Sequence, residues 1–299
     1  MTMVLTHFDK LTYLQDKHVA SFCDYLLDII IGNKPFTCKL KKVKREEYLL
    51  YSFSDGIKGY YWAGASYQST QTTLIKLHNE LHRAVQNNDE KAALLACLAI
   101  LDWGQVYREC VNWLVSMAHQ NEVISTLTKA TKLIDGTLEV ESKIFQSLFQ
   151  RGGDLRCNSG TTKIFALLST KSIIYDGRVA CALGMIVLDY MAEKNLKSIP
   201  EKLLFLMDAD SKRNPSNGHL TFPSKSNMKD KLLNQAMSNV RINLILQKIE
   251  NDVISSGVFS KLNLDKSETL RAIESVLFMA GYKVHKDHFI ENGRYFSAN

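Results

Sequence analysis

Apolar residues return at intervals of three and four along most of this chain, and only four prolines interrupt them in 299 residues. That spacing gathers side chains onto one face of an α-helix, so the chain is bound to be mainly helical. The segment 11–31 carries Val19, Phe22, Cys23, Leu26, Leu27 and Ile30 on such a face and stops at Gly32-Asn33, ahead of Pro35. The same pattern predicts helices over 72–87, 89–101 running on to 117, 122–134, 138–149, 228–254 and 267–279. Between residues 36 and 67 it gives way to aromatic and β-branched residues with turn signals at Asp55-Gly56 and Gly59, which predicts a small β-hairpin. No repeat of fixed period is present.

Length sets the next bound. A chain of 299 residues exceeds the usual single domain, so the expectation is an all-α body of two helical subdomains around a cleft. The divisions fall at 1–88, an N-terminal helical and hairpin region, 89–200, a central helical core, and 201–299, a C-terminal helical region completing the cleft. The apolar runs at 25–31 and 180–191 are too short or too interrupted to span a bilayer, and the first ten residues lack a signal-peptide core. A cytoplasmic protein with no membrane partner is therefore expected. Six cysteines scattered without close pairing read as reduced thiols, neither disulfides nor a zinc site.

A net charge of +6 permits a polyanionic partner, since Lys and Arg contacts to phosphates release counterions. Lys39, Lys41, Lys42, Lys44 and Arg45 lie within seven residues, close to Tyr48, Tyr51, Tyr60, Tyr61 and Trp62. That strip is either a phosphate contact with stacking aromatics or a solvated face beside an aromatic cluster. His78 and His82 stand one helical turn apart, as two imidazoles sharing a metal would. Asn79 breaks the HExxH order and no third ligand is evident, so no metal and no other cofactor is expected. Nor is there a Walker, GxGxxG or GxSxG motif, which argues against NTPase, dehydrogenase and serine-hydrolase chemistry.

Chemistry concentrates around residue 176. Ile173-Ile174-Tyr175 is a β-like apolar triplet, and the following helix has Val179, Ala182, Leu183, Ile186 and Tyr190 on its inner face. Asp176 occupies the N-cap position between them, where its carboxylate accepts bonds from the first free amides and is favoured as an anion by the helix dipole. It serves either as a structural cap or as a fixed charge. A carboxylate so held stabilises the oxocarbenium-like sugar that develops as an N-glycosidic bond breaks. Upstream, a predicted helix, a glycine-containing connector from Arg151 to Gly160 and a second helix starting near Thr161 outline a helix-hairpin-helix.

The run from Gly160 through Leu168, followed by Ile173 through Leu183, resembles the helix-hairpin-helix DNA glycosylase superfamily, which includes the 8-oxoguanine and adenine glycosylases. Trp103-Gly104, the loop Arg213-Asn214-Pro215-Ser216 and the stretch from Arg271 to Tyr282 resemble a divergent prokaryotic branch of it. The resemblance implies that Asp176 is the catalytic carboxylate and that Lys163 lies near the Schiff-base lysine of bifunctional members. It also implies that the hairpin residues Gly160, Thr161 and Thr162 hold a DNA phosphate. The connector here reads Leu155-Arg156-Cys157-Asn158-Ser159-Gly160, with no proline and one glycine, and Lys163 stands closer to Asp176 than in the best-known branches.

Other residues admit more than one reading. Lys163 is a nucleophile, a phosphate contact or an ordinary helix lysine; Arg178 is a phosphate clamp or a salt-bridge partner; Lys212 and Arg213 contact the DNA backbone, line a base pocket or form a surface turn. Tyr175 stacks on a flipped base or packs in the core, and Trp103 walls a base pocket or sits at a kink beside Gly104. The function expected is a monomeric DNA glycosylase acting on a damaged or modified base flipped out of double-stranded DNA. Some glycosylase-like proteins act on modified bases of phage DNA, which makes antiviral defence one expected setting. The rival expectations are a non-catalytic DNA-binding hairpin module and a helical protein-interaction protein.

Overall fold

The computed structural model describes residues 9–36, 38–41, 47–50, 52–106, 109–284, 288–291 and 294–297. Among the described residues the protein is all-α apart from two small hairpins, with twelve α-helices. Helices α1 (Lys10–Gln15) and α2 (Lys17–Ile31) divide the first predicted helix at Asp16, which leaves helical backbone and caps α2 through bonds from the amides of His18 and Val19. Strands β1 (Cys38–Lys41) and β2 (Glu47–Leu50) pair antiparallel inside the predicted excursion. A single turn, α3 (Asp55–Lys58), leads into α4 (Tyr67–Gln86) and α5 (Glu90–Trp103). The apolar run that follows breaks at Gly104-Gln105, where Gln105 takes φ 53°, and resumes as α6 (Glu109–His119).

Next come α7 (Val123–Ile134), α8 (Ser142–Phe149) and α9 (Thr161–Leu168). After these, α10 (Gly177–Glu193) and α11 (Lys231–Ser256) flank a long irregular stretch, and α12 (Thr269–Ala280) closes the helical body. Strands β3 (His288–Glu291) and β4 (Arg294–Ser297) then pair antiparallel. The sequence leads one to expect a frayed polar tail here, because strands of four residues are too short to show the alternation that announces a strand. One hydrophobic core cluster runs from Tyr13 on α1 to Ala280 on α12, drawing on all three sequence divisions. Among the described residues no helix is long and apolar enough to cross a membrane.

Helix α11 is the axis of that core, and its composition explains how irregular segments are tolerated inside. It buries Asn234, Gln235, Ser238, Asn239, Arg241 and Asn243 as well as its apolar residues. A buried amide or carbonyl outside regular structure costs about 1–3 kcal/mol if unpaired. The polar row supplies the missing partners. The Leu206 amide donates to Ser238 Oγ at 2.9 Å, and Arg241 Nη1 donates to the carbonyls of Glu201 and Leu204 at 3.1 and 2.9 Å. Asn243 and Gln235 do the same for the segment before α10, which carries Asp176.

Candidate active site

The residues Ile173, Ile174 and Tyr175 run extended but join no sheet among the described residues. Side chains replace the ladder. The Ile173 amide donates to Asn243 Oδ1 at 3.0 Å and the Ile174 amide to Glu274 Oε2 at 2.7 Å. The Tyr175 carbonyl accepts from Gln235 Nε2 at 2.6 Å and Thr162 Oγ1 at 3.3 Å. Three helices, α9, α11 and α12, therefore fix the backbone that enters Asp176. Asp176 caps α10 as its position predicts: Oδ1 accepts from the amides of Arg178 and Val179 at 2.9 and 3.0 Å. Its second oxygen, Oδ2, accepts no bond among the described residues.

Lys163 reaches the same place from α9. Its side chain is only 6% exposed, and Nζ donates to the Ser159 carbonyl at 2.8 Å. Burial pushes its pKa below the usual lysine range, while the Asp176 and Glu274 carboxylates oppose that shift. The lysine stem lies against Gly104, where an added Cβ would fall 2.4 Å from Cδ and 2.6 Å from Cε. That close approach, together with the helix break, accounts for the glycine after Trp103.

Asp176 and Lys163 open into one cavity of about 290 Å³. Trp62, Trp103, Tyr60 and Phe278 supply aromatic wall, and Glu274, Asp208, Arg178 and Arg213 add charge. The Trp62 ring meets Phe278 edge-on at 5.4 Å between centroids, and its Nε1 donates to the Trp103 carbonyl at 3.3 Å. The salt-bridge reading of Arg178 does not hold among the described residues. No carboxylate pairs with it among the described residues, and its guanidinium lies 4.3 Å from the Phe278 centroid, 4.7 Å from Tyr282 and 5.4 Å from Trp62. Such a cation over ring faces stiffens the aromatic wall. Arg213 Nη1 lies 3.6 Å from Asp208 Oδ2, and its Nε donates to the Tyr282 carbonyl at 3.3 Å. At Gly177 an added Cβ would meet that same Asp208 oxygen at 2.3 Å, so the glycine admits a further carboxylate beside the start of α10.

Several sequence assignments are corrected. Tyr175 is 1% exposed, with its hydroxyl donating to the Leu206 carbonyl at 3.0 Å, so it packs in the core and does not line the cavity. The predicted hairpin does not present open amides to a phosphate. Asn158 Oδ1 accepts from the amides of Gly160 and Thr161 at 2.9 and 3.0 Å, and the Asn158 carbonyl accepts from that of Thr162 at 3.0 Å. Thr161 and Thr162 are wholly buried. Eleven connector residues, 150–160, separate α8 from α9, which leaves room for this internal closure. Lys212 lies exposed in a single turn, its carbonyl accepting from the Val284 amide at 2.6 Å, and does not reach the cavity.

Elsewhere, the rings of His78 and His82 stack at 4.1 Å, with His78 Nδ1 2.8 Å from the Leu167 carbonyl. Among the described residues no group of three metal-ligating side chains forms. In the basic strip, Lys39 and Lys41 fall on β1, while Lys42, Lys44 and Arg45 lie outside the described residues, as does Tyr51.

Sequence reasoning missed Glu274, Asp208, Trp62 and Phe278 as members of this site. Glu274 is almost fully buried on α12, pairs with Arg271 one turn earlier and is pushed above the usual glutamate range by burial. A glutamate at a core position of an apolar helix is a readable signal; its distant partner, the Ile174 amide, is not. Compared with known proteins, the chain matches no family model, no curated protein and no solved structure.

Proposed function

We propose that this protein is a DNA N-glycosylase that accepts a flipped nucleotide in the cavity between α9, α10 and α12. One observation carries the reading: a buried lysine and a cap-held aspartate with one oxygen unengaged share a single aromatic-walled cavity. A nucleobase needs apolar faces to replace stacking and a few polar groups at its edge. Trp62, Trp103, Tyr60 and Phe278 provide the first, and Glu274, Asp208 and Arg213 line the same space.

The chemistry follows from the two central groups. As the bond between C1′ and the base nitrogen breaks, its electron pair leaves with the base and the deoxyribose becomes cationic. Asp176 Oδ2 stabilises that cation without having to be reoriented, because Oδ1 is already pinned to the start of α10. The Lys163 amine attacks C1′ in its deprotonated form, which burial favours, and forms the new carbon–nitrogen bond; loss of a proton and ring opening then give the imine. The closed hairpin disfavours a module that binds DNA through loop amides alone.

The test uses duplexes each carrying one modified base, heated in alkali to reveal abasic sites. The wild type is expected to release base from at least one duplex, and Asp176→Asn to keep DNA affinity while losing release. Equal release by both proteins, or release by neither from any duplex, overturns the reading.

A further inference from the structure

The glycosylase reading leaves DNA without a phosphate grip, since the hairpin amides are closed, and the rim of the cavity offers a different one. Ser159 lines the cavity and is approached by two ammonium groups. Lys163 Nζ donates to its carbonyl at 2.8 Å, and Lys225 Nζ donates to its hydroxyl at 3.3 Å. Among the described residues no carboxylate lies within ion-pair distance of Lys225. Lys163 already has the Asp176 and Glu274 carboxylates acting on it, whereas Lys225 has no such partner among the described residues, so an anion arriving at the rim is drawn to Lys225.

The groups there are placed to donate. The ammonium of Lys225 spends one hydrogen on Ser159 and keeps two. The Ser159 hydroxyl accepts that bond, and its own proton has no acceptor among the described residues. The lysine is not on a loose loop tip: its amide donates to the Met207 carbonyl at 3.1 Å, and the Met207 amide to the Pro223 carbonyl at 2.8 Å. Lys225 is half-buried, with Phe222 and Ser224 buried just before it. Lys163 sits on the inner side, next to the reacting carbon in the proposed chemistry, so the outer pair is left for the anion.

We propose that Lys225 and the Ser159 hydroxyl form an anion subsite at the cavity rim that binds the phosphodiester flanking the target nucleotide. The inference rests on the glycosylase reading for the identity of the anion. A phosphate held there brings its attached sugar over Asp176 and Lys163, and the subsite takes over the role that open hairpin amides would otherwise serve. Sequence gave no pointer to it, because Ser159 and Lys225 are 66 residues apart and neither belongs to a motif.

The probe is a duplex containing a tetrahydrofuran abasic-site analogue, with fluorescence anisotropy read across a range of salt concentrations. Lys225→Gln is expected to weaken binding roughly tenfold at moderate salt and to flatten the dependence of log affinity on log salt by about one unit. Ser159→Ala, which keeps both lysines, should weaken binding about threefold with the slope unchanged. A methylphosphonate in place of one flanking phosphate should weaken the wild type but add nothing to the loss in Lys225→Gln. Thermal midpoints equal to wild type certify the fold, and if Lys225→Gln fails to fold, Ser159→Ala with the methylphosphonate carries the test. Wild type that fails to bind the duplex overturns the glycosylase reading and this one with it. Wild type that binds, with both variants unchanged in affinity and slope, overturns the subsite alone.

Discussion

Two connectors flank α9 and neither is regular, yet they are built in opposite ways. The one before it, residues 150–160, satisfies its later amides locally, through Asn158 and its neighbours. The one after it, from Ile173 to Asp176, is satisfied by side chains 13 to 100 residues away. A self-closed loop stores its order in a few neighbouring residues. A segment held by three helices is as rigid as the core that holds it, and it ends on the one carboxylate that the proposed chemistry needs.

This contrast predicts a ranking of damage. Glu274→Ala should cost most, about 3–5 kcal/mol, because it strands the Arg271 cation in the core and leaves the Ile174 amide unpaired. Denaturant unfolding measures it, and a loss below about 1 kcal/mol would mean that the segment is held some other way. Gln235→Leu should cost about 1–3 kcal/mol by removing one donor to the buried Tyr175 carbonyl, and should depress base release as well, since Asp176 shifts with its backbone. Asn158→Ala should cost about 1 kcal/mol and leave release unchanged if Lys163 keeps its place. Equal functional losses from Gln235→Leu and Asn158→Ala would erase the distinction between the two connectors.

A smaller effect concerns pH. The folded pKa of Lys163 lies below its unfolded value. Between the two, the unfolded chain binds more protons, so stability rises with pH across that window and levels off above the ordinary lysine value. Lys163→Met removes this rise. Glu274 runs the other way: its folded pKa lies above the unfolded one, so stability falls as pH climbs from the ordinary glutamate value through the raised one. Unfolding curves at stepped pH for wild type and Lys163→Met should diverge on the alkaline side; parallel curves would mean that the lysine is not desolvated.

What could be read from sequence divides along the same line. The helices were legible because each announces itself in its own apolar spacing, and Asp176 was legible because an N-cap is a local event. The break at Gly104 was legible too, though not the stem of Lys163 that leaves no room for a side chain there. The misreadings are all matters of long-range direction. Tyr175 follows the extended backbone into the core, the hairpin amides turn onto Asn158, and Arg178 finds aromatic rings brought by Trp62 and α12. Glu274 and Asp208 reach the site only through packing, which spacing along the chain does not encode.

The central claim is that the cavity bearing Lys163 and Asp176 receives a nucleotide. A crystal structure of Asp176→Asn bound to a duplex with a tetrahydrofuran site tests it most directly. The account predicts the tetrahydrofuran ring turned out of the helix, lodged between Trp62 and Trp103 on one side and residue 176 on the other. A duplex bound to a different face, with that cavity empty of nucleotide, would contradict it.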